Sequence, residues 1–451
     1  MAVHSLNALV GNINMPGGVL VCDPPPLNPL PQFQKDAIAS KGLKKPRLDQ
    51  AGSRRYPFSK SLIGDFSETI IKSAKSPVDT LLVFSANPAF TLPDGGAFRT
   101  ALKKIPFIVS FSPYRDETSY MADLILPDHM YLEKKDDLVW PNGLQYPLYG
   151  ISKPVVKPVY ATRNSGNVII QLAKRIGGSV ASAFPWKRYE DVLKQRAKGL
   201  FDAQGGGQVH YDHSVPVWER LQKRESVTPD YKTFEDMWKK IKAGGFWYLP
   251  VHTHKNWERV FKTSTGKFEF FSTHTERAFY DYSLKVSEET ARKNMGIAEK
   301  GDAVFMPHYE PAPSDVDRSE YPLVMMPYEM INLASGWIPN PPYLYKTLFD
   351  HQLRKDDSFA EINPKTASKY GFKDGDPAII KSPTGSVRVR VNLFEGAMPG
   401  IVYLPLGFGH TAYDEFSVGK GINPNDIIHG GKDPLSGHPM WWNTPVQLIK
   451  V

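Results

Sequence analysis

A single cysteine, Cys22, stands in a chain of 451 residues. No intramolecular disulfide can form, and no multi-cysteine zinc or iron–sulfur site can be built within this chain. Cys22 itself reads as a small apolar residue, because no histidine-bearing motif that would make it a nucleophile lies near it. Long hydrophobic runs are missing too: no stretch reaches the roughly 18 apolar residues that a membrane-spanning helix needs. The start, MAVHSLNALVGNINMPGGV, lacks a charged segment followed by an apolar one and a small-residue cleavage site. It does not read as a signal peptide, and export would have to be arranged by another chain. Neither G-x-G-x-x-G nor a Walker loop occurs, which disfavours an ordinary nucleotide fold. Gly205, Gly206 and Gly207 follow no strand, so they read as a linker and not as a phosphate loop. His252 and His254 have no third ligand at a recognisable spacing, and no metal ligand is assigned.

What is present describes an ordinary globular protein: 41% hydrophobic, 23% charged and 12% aromatic residues. The length is too great for one core and implies two or three domains. With 39 prolines and 35 glycines, many loops are expected. The net charge of +8 permits an anionic ligand, but lysine and arginine are scattered. Without a basic stripe, no nucleic-acid partner is expected.

The most informative stretch runs from Asp79 to Glu133. Leu81-Leu82-Val83-Phe84 and Phe107-Ile108-Val109 are short apolar runs, and between them Phe98, Ala101 and Leu102 recur at helical spacing with Lys103 and Lys104 in the last turn. The pattern predicts a β-α-β unit whose strands are parallel and buried on both faces. Each strand ends in turn-forming residues, and the crevice beyond the carboxyl ends of parallel strands is where ligands sit. Further along, a helix is expected from Ser165 to Ile176 with Val168, Ile169, Leu172, Ala173 and Ile176 on its apolar face, and strands are expected between Gly244 and Phe271. From Glu320 onwards the chain changes character. A short helix is followed by strands with turns at Asp374-Gly375-Asp376, Pro383-Thr384-Gly385 and Pro399-Gly400, and Val387, Val389 and Val391 alternate with Arg388 and Arg390. This spacing suggests a small closed barrel. The expected fold is therefore α/β, a parallel-sheet dinucleotide-binding-like domain followed by a C-terminal six-stranded β-barrel. Domains are expected at 1–180 (α/β), 181–315 (helical and irregular, with short strands) and 316–451 (barrel).

Several segments resemble, in the same order, the molybdopterin oxidoreductases of the dimethyl sulfoxide reductase type. They are SLNALVGNINMPGG, the strand with its SANP loop, ETSYMADLILP with the following LEK, TSTGKFEFFS, and AEINPKTASKYGFKDGD with PGIVYLPLGFGH. The resemblance is nearest to the respiratory, quinone-linked branch that includes polysulfide and tetrathionate reductases and the molybdopterin-like subunits of quinone-reductase complexes. It implies two α/β domains and a barrel clasping two molybdopterin guanine dinucleotides around molybdenum or tungsten. Only the later half of the family is matched: no iron–sulfur cluster is expected in this chain, no segment resembles the region that ligates the metal, and no catalytic residue is assigned. The implied partners are a chain carrying the iron–sulfur-bearing first half, or a ferredoxin-like electron-transfer subunit, and a membrane subunit that meets quinone. Through such partners the resemblance implies membrane association on the periplasmic side. A non-catalytic structural subunit of a quinone-linked electron-transfer complex, keeping the fold without the chemistry, is the other expectation.

Candidate ligand-binding residues follow from both arguments. At the strand ends they are Ser85, Asn87 and Pro88, then Ser112, Tyr114 and Asp116; Asn87 and Asp116 serve equally well as residues that close turns. The resemblance adds Tyr328, Met330 and Asn332 after the Leu323 to Met326 strand, Gly407, Gly409 and His410 in a glycine-rich loop, and Asn423. Gly407 and Gly409 are expected where a side chain would block a ligand. His410 suits either a hydrogen bond to the cofactor or a partner within its own turn.

Overall fold

A computed structural model describes residues 2–451 apart from 33–34, 54–55, 57–58, 94, 142, 145, 210–228, 250–253, 312–315, 334–345, 430 and 434–435; His252 lies outside the described residues. The chain forms two compact units that alternate along it. Met1–Gly42, Pro127–Thr275 and Lys300–His308 make the first, and Leu43–Leu126, Glu276–Glu299 and Tyr309–Val451 make the second. Among the described residues, no helix is long and apolar enough to cross a membrane.

The second unit begins with an α/β layer. Helix α1 (Ile63–Lys72) carries Asp65 in its first turn and Lys72 in its last, in keeping with the helix dipole. It leads into β1 (Thr80–Phe84), the short α2 (Pro88–Thr91), α3 (Gly95–Leu102), β2 (Phe107–Phe111), α4 (Glu117–Tyr120) and β3 (Leu124–Ile125). The strands lie in the order β1-β2-β3, all parallel, with Thr80 opposite Phe107 and Val109 opposite Leu124. Ile70 of α1 and Phe98, Ala101 and Leu102 of α3 pack with Leu81 and Ile108 into one apolar cluster. Both helices therefore cover the same sheet face. On the opposite face Val109 and Phe111 are buried, while Leu82, Phe84, Phe107 and Leu124 are between 38% and 43% exposed. The expectation of burial on both faces holds for Ile108–Phe111 of β2 and fails at β1 and β3, where Leu82, Phe84 and Leu124 are exposed; crossovers of one hand between strands laid down in one direction put the connecting helices on one side.

In the first unit, β4 (Asp136–Val139), β5 (Leu148–Ser152), β6 (Gly207–Val209) and β7 (Phe246–Tyr248) form an antiparallel sheet in the order β4-β5-β7-β6. Helices α5 (Ser165–Ile176), α6 (Tyr189–Asp202) and α7 (Phe234–Lys242) belong to the same unit. Leu193 and Leu200 of α6 and Met237, Trp238 and Ile241 of α7 pack with Tyr149 and Trp247 of the sheet. The bounds of α5 match expectation, but its buried residues are Ile170 and Ala173, while Leu172 and Ile176 are exposed. Gly207 opens β6, and Gly206 lies flat against Trp247, where a Cβ would fall 2.4 Å from Cε2. Trp247 Nε1 also donates to Gly205 O at 3.0 Å. The glycine run is thus a tightly packed strand entry and not a linker. Between Gly244 and Phe271 only Phe246–Tyr248 is a strand among the described residues, and Trp257–Val260 is helical.

The rest of the second unit is the barrel. Its elements are β8 (Leu323–Tyr328), β9 (Leu353–Arg354), β10 (Asp357–Ile362), α8 (Pro364–Tyr370), β11 (Pro377–Lys381), β12 (Ser386–Leu393), β13 (Ile401–Pro405) and β14 (Thr444–Lys450). The order is β12-β11-β14-β8-β13-β10, and β10 pairs back onto β12, so six strands close and leave no edge; β9 extends β10 as a hairpin. Val389 and Val391 point into a core that holds Met325, Ile362, Ile380, Val402, Leu404 and Val446, while Arg388 faces out. Asn363 caps α8 by accepting from Lys365 N, and Gly371 ends it at φ +72°.

Candidate functional site

Strands β8 and β13 run parallel, with Leu404 opposite Pro327 and Pro405 opposite Tyr328. Where they end, a cleft of about 790 Å³ opens. One wall is the end of those strands and the segments that leave them (Met326, Pro327, Tyr328, Glu329, Leu406 and Gly407). The facing wall comes from α2 and the residues after it (Phe90, Thr91, Pro93), and Asn425, Ile428, Pro439 and Trp441 complete the lining. The volume lies in the range of cofactor and small-molecule sites, and the mix of a mainly apolar lining with few polar groups is the usual one. Gly407 adopts φ +100°, a conformation that glycine reaches without strain and that brings bare backbone to the cleft. Tyr328 Oη donates to Glu361 Oε1 at 3.0 Å. Burial and the neighbouring Glu361 charge push this phenol well up, so it stays a neutral donor. Glu329 is the one charged side chain among the described lining residues.

Beside the cleft lies a buried polar network that ties the α/β layer to the barrel loops within this unit. Asn87 Nδ2 donates to Glu117 Oε2 at 2.6 Å, and Asn87 Oδ1 accepts from Thr118 N and Thr118 Oγ1 at 3.1 and 2.9 Å. Glu117 Oε1 pairs with His410 Nδ1 at 3.0 Å and accepts from Thr411 N and Ala412 N at 2.8 and 3.2 Å. Burial alone would raise the Glu117 carboxyl, but His410, Asn87 and the backbone donors outweigh it and hold it at about 2. The His410 ring stacks on Phe90 at 3.9 Å, and its Nε2 has no hydrogen-bond partner among the described residues. Since Phe90 also lines the cleft, the Glu117–His410 pair fixes that wall from behind.

The candidates drawn from sequence divide sharply. Tyr328 and Gly407 line the cleft. Pro88 opens α2 at its first position, where its missing N–H costs nothing. Ser112 Oγ donates to Asp116 Oδ2 at 3.0 Å, and Asp116 Oδ1 caps α4 by accepting from Ser119 N at 2.7 Å. These two, with Asn87, spend their polar groups on closing the strand-end loops, and burial raises the Asp116 carboxyl. Tyr114 tilts against Tyr413, with ring centroids 5.4 Å apart. Ser85 is exposed at φ +45°, its backbone N donating to Phe111 O at 3.0 Å. Met330 is buried with Leu333 and Phe408, and Asn332 Nδ2 donates to Thr347 O at 2.7 Å. Gly409 makes a close approach, but to its own chain: a Cβ there would fall 2.2 Å from Asn423 N. Asn423 donates to Phe90 O at 2.9 Å and so braces α2. Sequence reasoning missed Phe90, Thr91, Asn425 and Trp441; only the Trp441-Trp442 pair in an irregular tail offered a signal. In the first unit, burial pushes the Cys22 thiol up, so it is not a ready thiolate. Among the described residues, no group of three or more His, Cys, Asp or Glu is placed to hold a metal.

Comparison with known proteins shows what this chain is similar to. Residues 344–445 match the family described as Molydopterin dinucleotide binding domain, and residues 1–175 match Molybdopterin oxidoreductase. The menaquinone reductase molybdopterin-binding-like subunit of Nitratidesulfovibrio vulgaris is 27% identical, covering 100% of this chain and 50% of that protein. The arsenate respiratory reductase molybdopterin-containing subunit of Shewanella sp. is 28% identical, covering 97% of this chain and 53% of that protein. The chain spans about half the length of these curated relatives. Acetylene hydratase from Pelobacter acetylenicus shares the fold, with a TM-score of 0.55 at 17% identity over 90% of this chain and 50% of that one.

Proposed function

Because this chain belongs to the molybdopterin oxidoreductase family of the dimethyl sulfoxide reductase type, we propose that it is the cofactor-clasping half of a respiratory reductase. A second polypeptide, bearing the iron–sulfur cluster and the metal-ligating region, completes the fold. The observation that carries this reading is the cleft of about 790 Å³ at the carboxyl ends of β8 and β13. It offers Phe90 and Trp441 as flat apolar walls, Gly407 as bare backbone, and Glu329 as a carboxylate. That set fits a large planar heterocycle with N–H donors, such as a pterin or guanine ring, better than a pyrophosphate, since no cation lines the cleft among the described residues. When bound, the cofactor supplies the redox chemistry; this chain's residues orient it and keep water from it. Tyr328, held neutral and anchored on Glu361, is a fixed polar group in that wall. Molybdopterin guanine dinucleotide, with molybdenum or tungsten, is the cofactor this reading requires.

A second reading is favoured by one observation: a relative matched over the whole of this chain is named a molybdopterin-binding-like subunit of a menaquinone reductase. On that reading the protein is a structural subunit of a quinone-linked complex and the cleft holds no cofactor. Purification from the native host with its partners, followed by acid release of bound nucleotide, separates the two. The first reading predicts guanosine monophosphate from the wild-type complex and at least a tenfold loss from the Trp441→Ala, Glu329→Ala double variant. Absence of guanosine monophosphate from the intact wild-type complex overturns it.

A further inference from the structure

The first unit contains a pocket of its own, of about 420 Å³, a volume in the range of small-molecule sites. The segment TSTGKFEFFS forms part of it through Thr265, Lys267 and Phe268. Trp257 and Phe261 add two more aromatic rings, and Ala8 and Ile13 add aliphatic lining from the helix Ala2–Leu9 and the turn after it. The Trp257 and Phe261 rings are nearly parallel, 18° apart, while Phe268 stands at 84° to Phe261. Such a corner offers a planar guest one face to lie on and one edge to abut. The walls are fixed by the chain's own hydrogen bonds. Arg259 Nη2 donates to Val21 O at 2.6 Å and Lys255 N donates to Asn14 O at 3.3 Å, which ties the helix Trp257–Val260 to the loop after Ile13. In the turn, Gly266 sits at φ +65° with its N–H on Thr263 O at 3.1 Å, and Thr263 Oγ1 donates to Lys267 O at 2.6 Å. A pocket held in this way is preorganised, so a guest need not order it.

Charge selects the guest. Lys267 is the one charged residue in the described lining, and among the described residues its ammonium has no partner. The neighbouring charges are already engaged: Glu269 Oε1 accepts from Ser264 Oγ and Thr265 Oγ1 at 3.2 and 3.0 Å, Arg259 pairs with Asp23 at 3.3 Å, and Lys262 Nζ donates to Glu258 O at 3.1 Å. We infer that this pocket binds a planar aromatic anion, an aromatic carboxylate in the simplest case, with its ring against Trp257 and Phe268 and its acidic oxygens on Lys267. A neutral ring of the same size gains the apolar contacts but not the charge-assisted hydrogen bond. A cationic ring would meet an ammonium with no carboxylate in the described lining to offset it. The inference does not rest on the cofactor proposal, because the pocket belongs to the first unit and the cleft to the second.

Calorimetric titration of the complex purified from its native host tests it, with naphthoate as the anionic probe and naphthylmethanol as the neutral one. Wild type is expected to bind naphthoate saturably, one equivalent per chain, and to bind naphthylmethanol about fivefold more weakly. Lys267→Met, at an exposed position, should weaken naphthoate by the same factor and leave naphthylmethanol unchanged. Ala8→Trp, which fills the pocket, should abolish binding of both probes. Trp257→Leu removes a ring that is 39% exposed and should weaken both, so the site remains testable even where Ala8→Trp fails to fold. No saturable binding of naphthoate to wild type up to about 1 mM overturns the inference. So does naphthoate binding that survives Lys267→Met undiminished, naphthylmethanol bound as tightly as naphthoate, or affinity for both probes unmoved by Trp257→Leu.

Discussion

Glu117 is the residue on which the second unit's wall depends. Its carboxylate serves Asn87, His410 and two backbone N–H groups from a loop 293 positions away in sequence. Glu117→Ala leaves those donors buried without an acceptor, and a loss on the order of 3 kcal/mol is expected, read as the denaturant midpoint of this chain in its complex. The pH dependence has a definite sign. The folded carboxyl sits at about 2, below its ordinary 4.5, so its contribution is present above pH 4.5 and is lost as pH falls toward about 2. Asp116 opposes it, because its carboxyl is raised by burial and its protonation relieves that cost. The difference between wild type and Glu117→Gln isolates the first effect: it should shrink steadily from pH 5 to pH 3. A constant difference would show that Glu117 is not held ionised. None of this was legible in the sequence, where Glu117 stood in an ET pair and His410 in a glycine-rich turn with nothing to join them.

Elements repeat the lesson with a different balance. The apolar runs around Leu82 and Ile108 and the valine alternation from Val387 to Val391 announced their strands, since local periodicity reports which side chains are buried. Closure of the barrel by β10 on β12 was not announced, because a long-range pairing leaves no mark on either strand's own pattern. Nor was the packing of α1 and α3 on one face of the sheet, which comes from the order of strands and not from their composition. Loop glycines show the limit most clearly. Gly409 and Gly400 both have positive φ, +81° and +85°, but only Gly409 is crowded, by the backbone of Ile422 and Asn423. Gly400→Ala should cost about 1 kcal/mol from conformational strain alone. For Gly409→Ala, strain and collision together should cost at least twice that, measured as the fall in thermal midpoint of each variant against wild type. Equal losses would mean that the Gly409 loop yields freely and does not brace the cleft.

At the scale of the whole molecule, the chain forms two units, one of which holds the closed barrel and the three-stranded parallel sheet, and it spans about half the length of the curated relatives it matches. Composition foresaw an ordinary globular chain, since its hydrophobic, charged and aromatic shares are those of one. The cleft was only half foreseen: Tyr328 and Gly407 came from resemblance, while Phe90 and Trp441 are brought together by tertiary packing that no local pattern encodes. The central claim is that this chain grips a molybdopterin cofactor together with a partner. Elemental analysis with pterin quantification, on the protein purified with its partners from its native host, tests that claim most directly. The account predicts molybdenum or tungsten and pterin in fixed ratio to this chain, and an intact complex containing neither would contradict it.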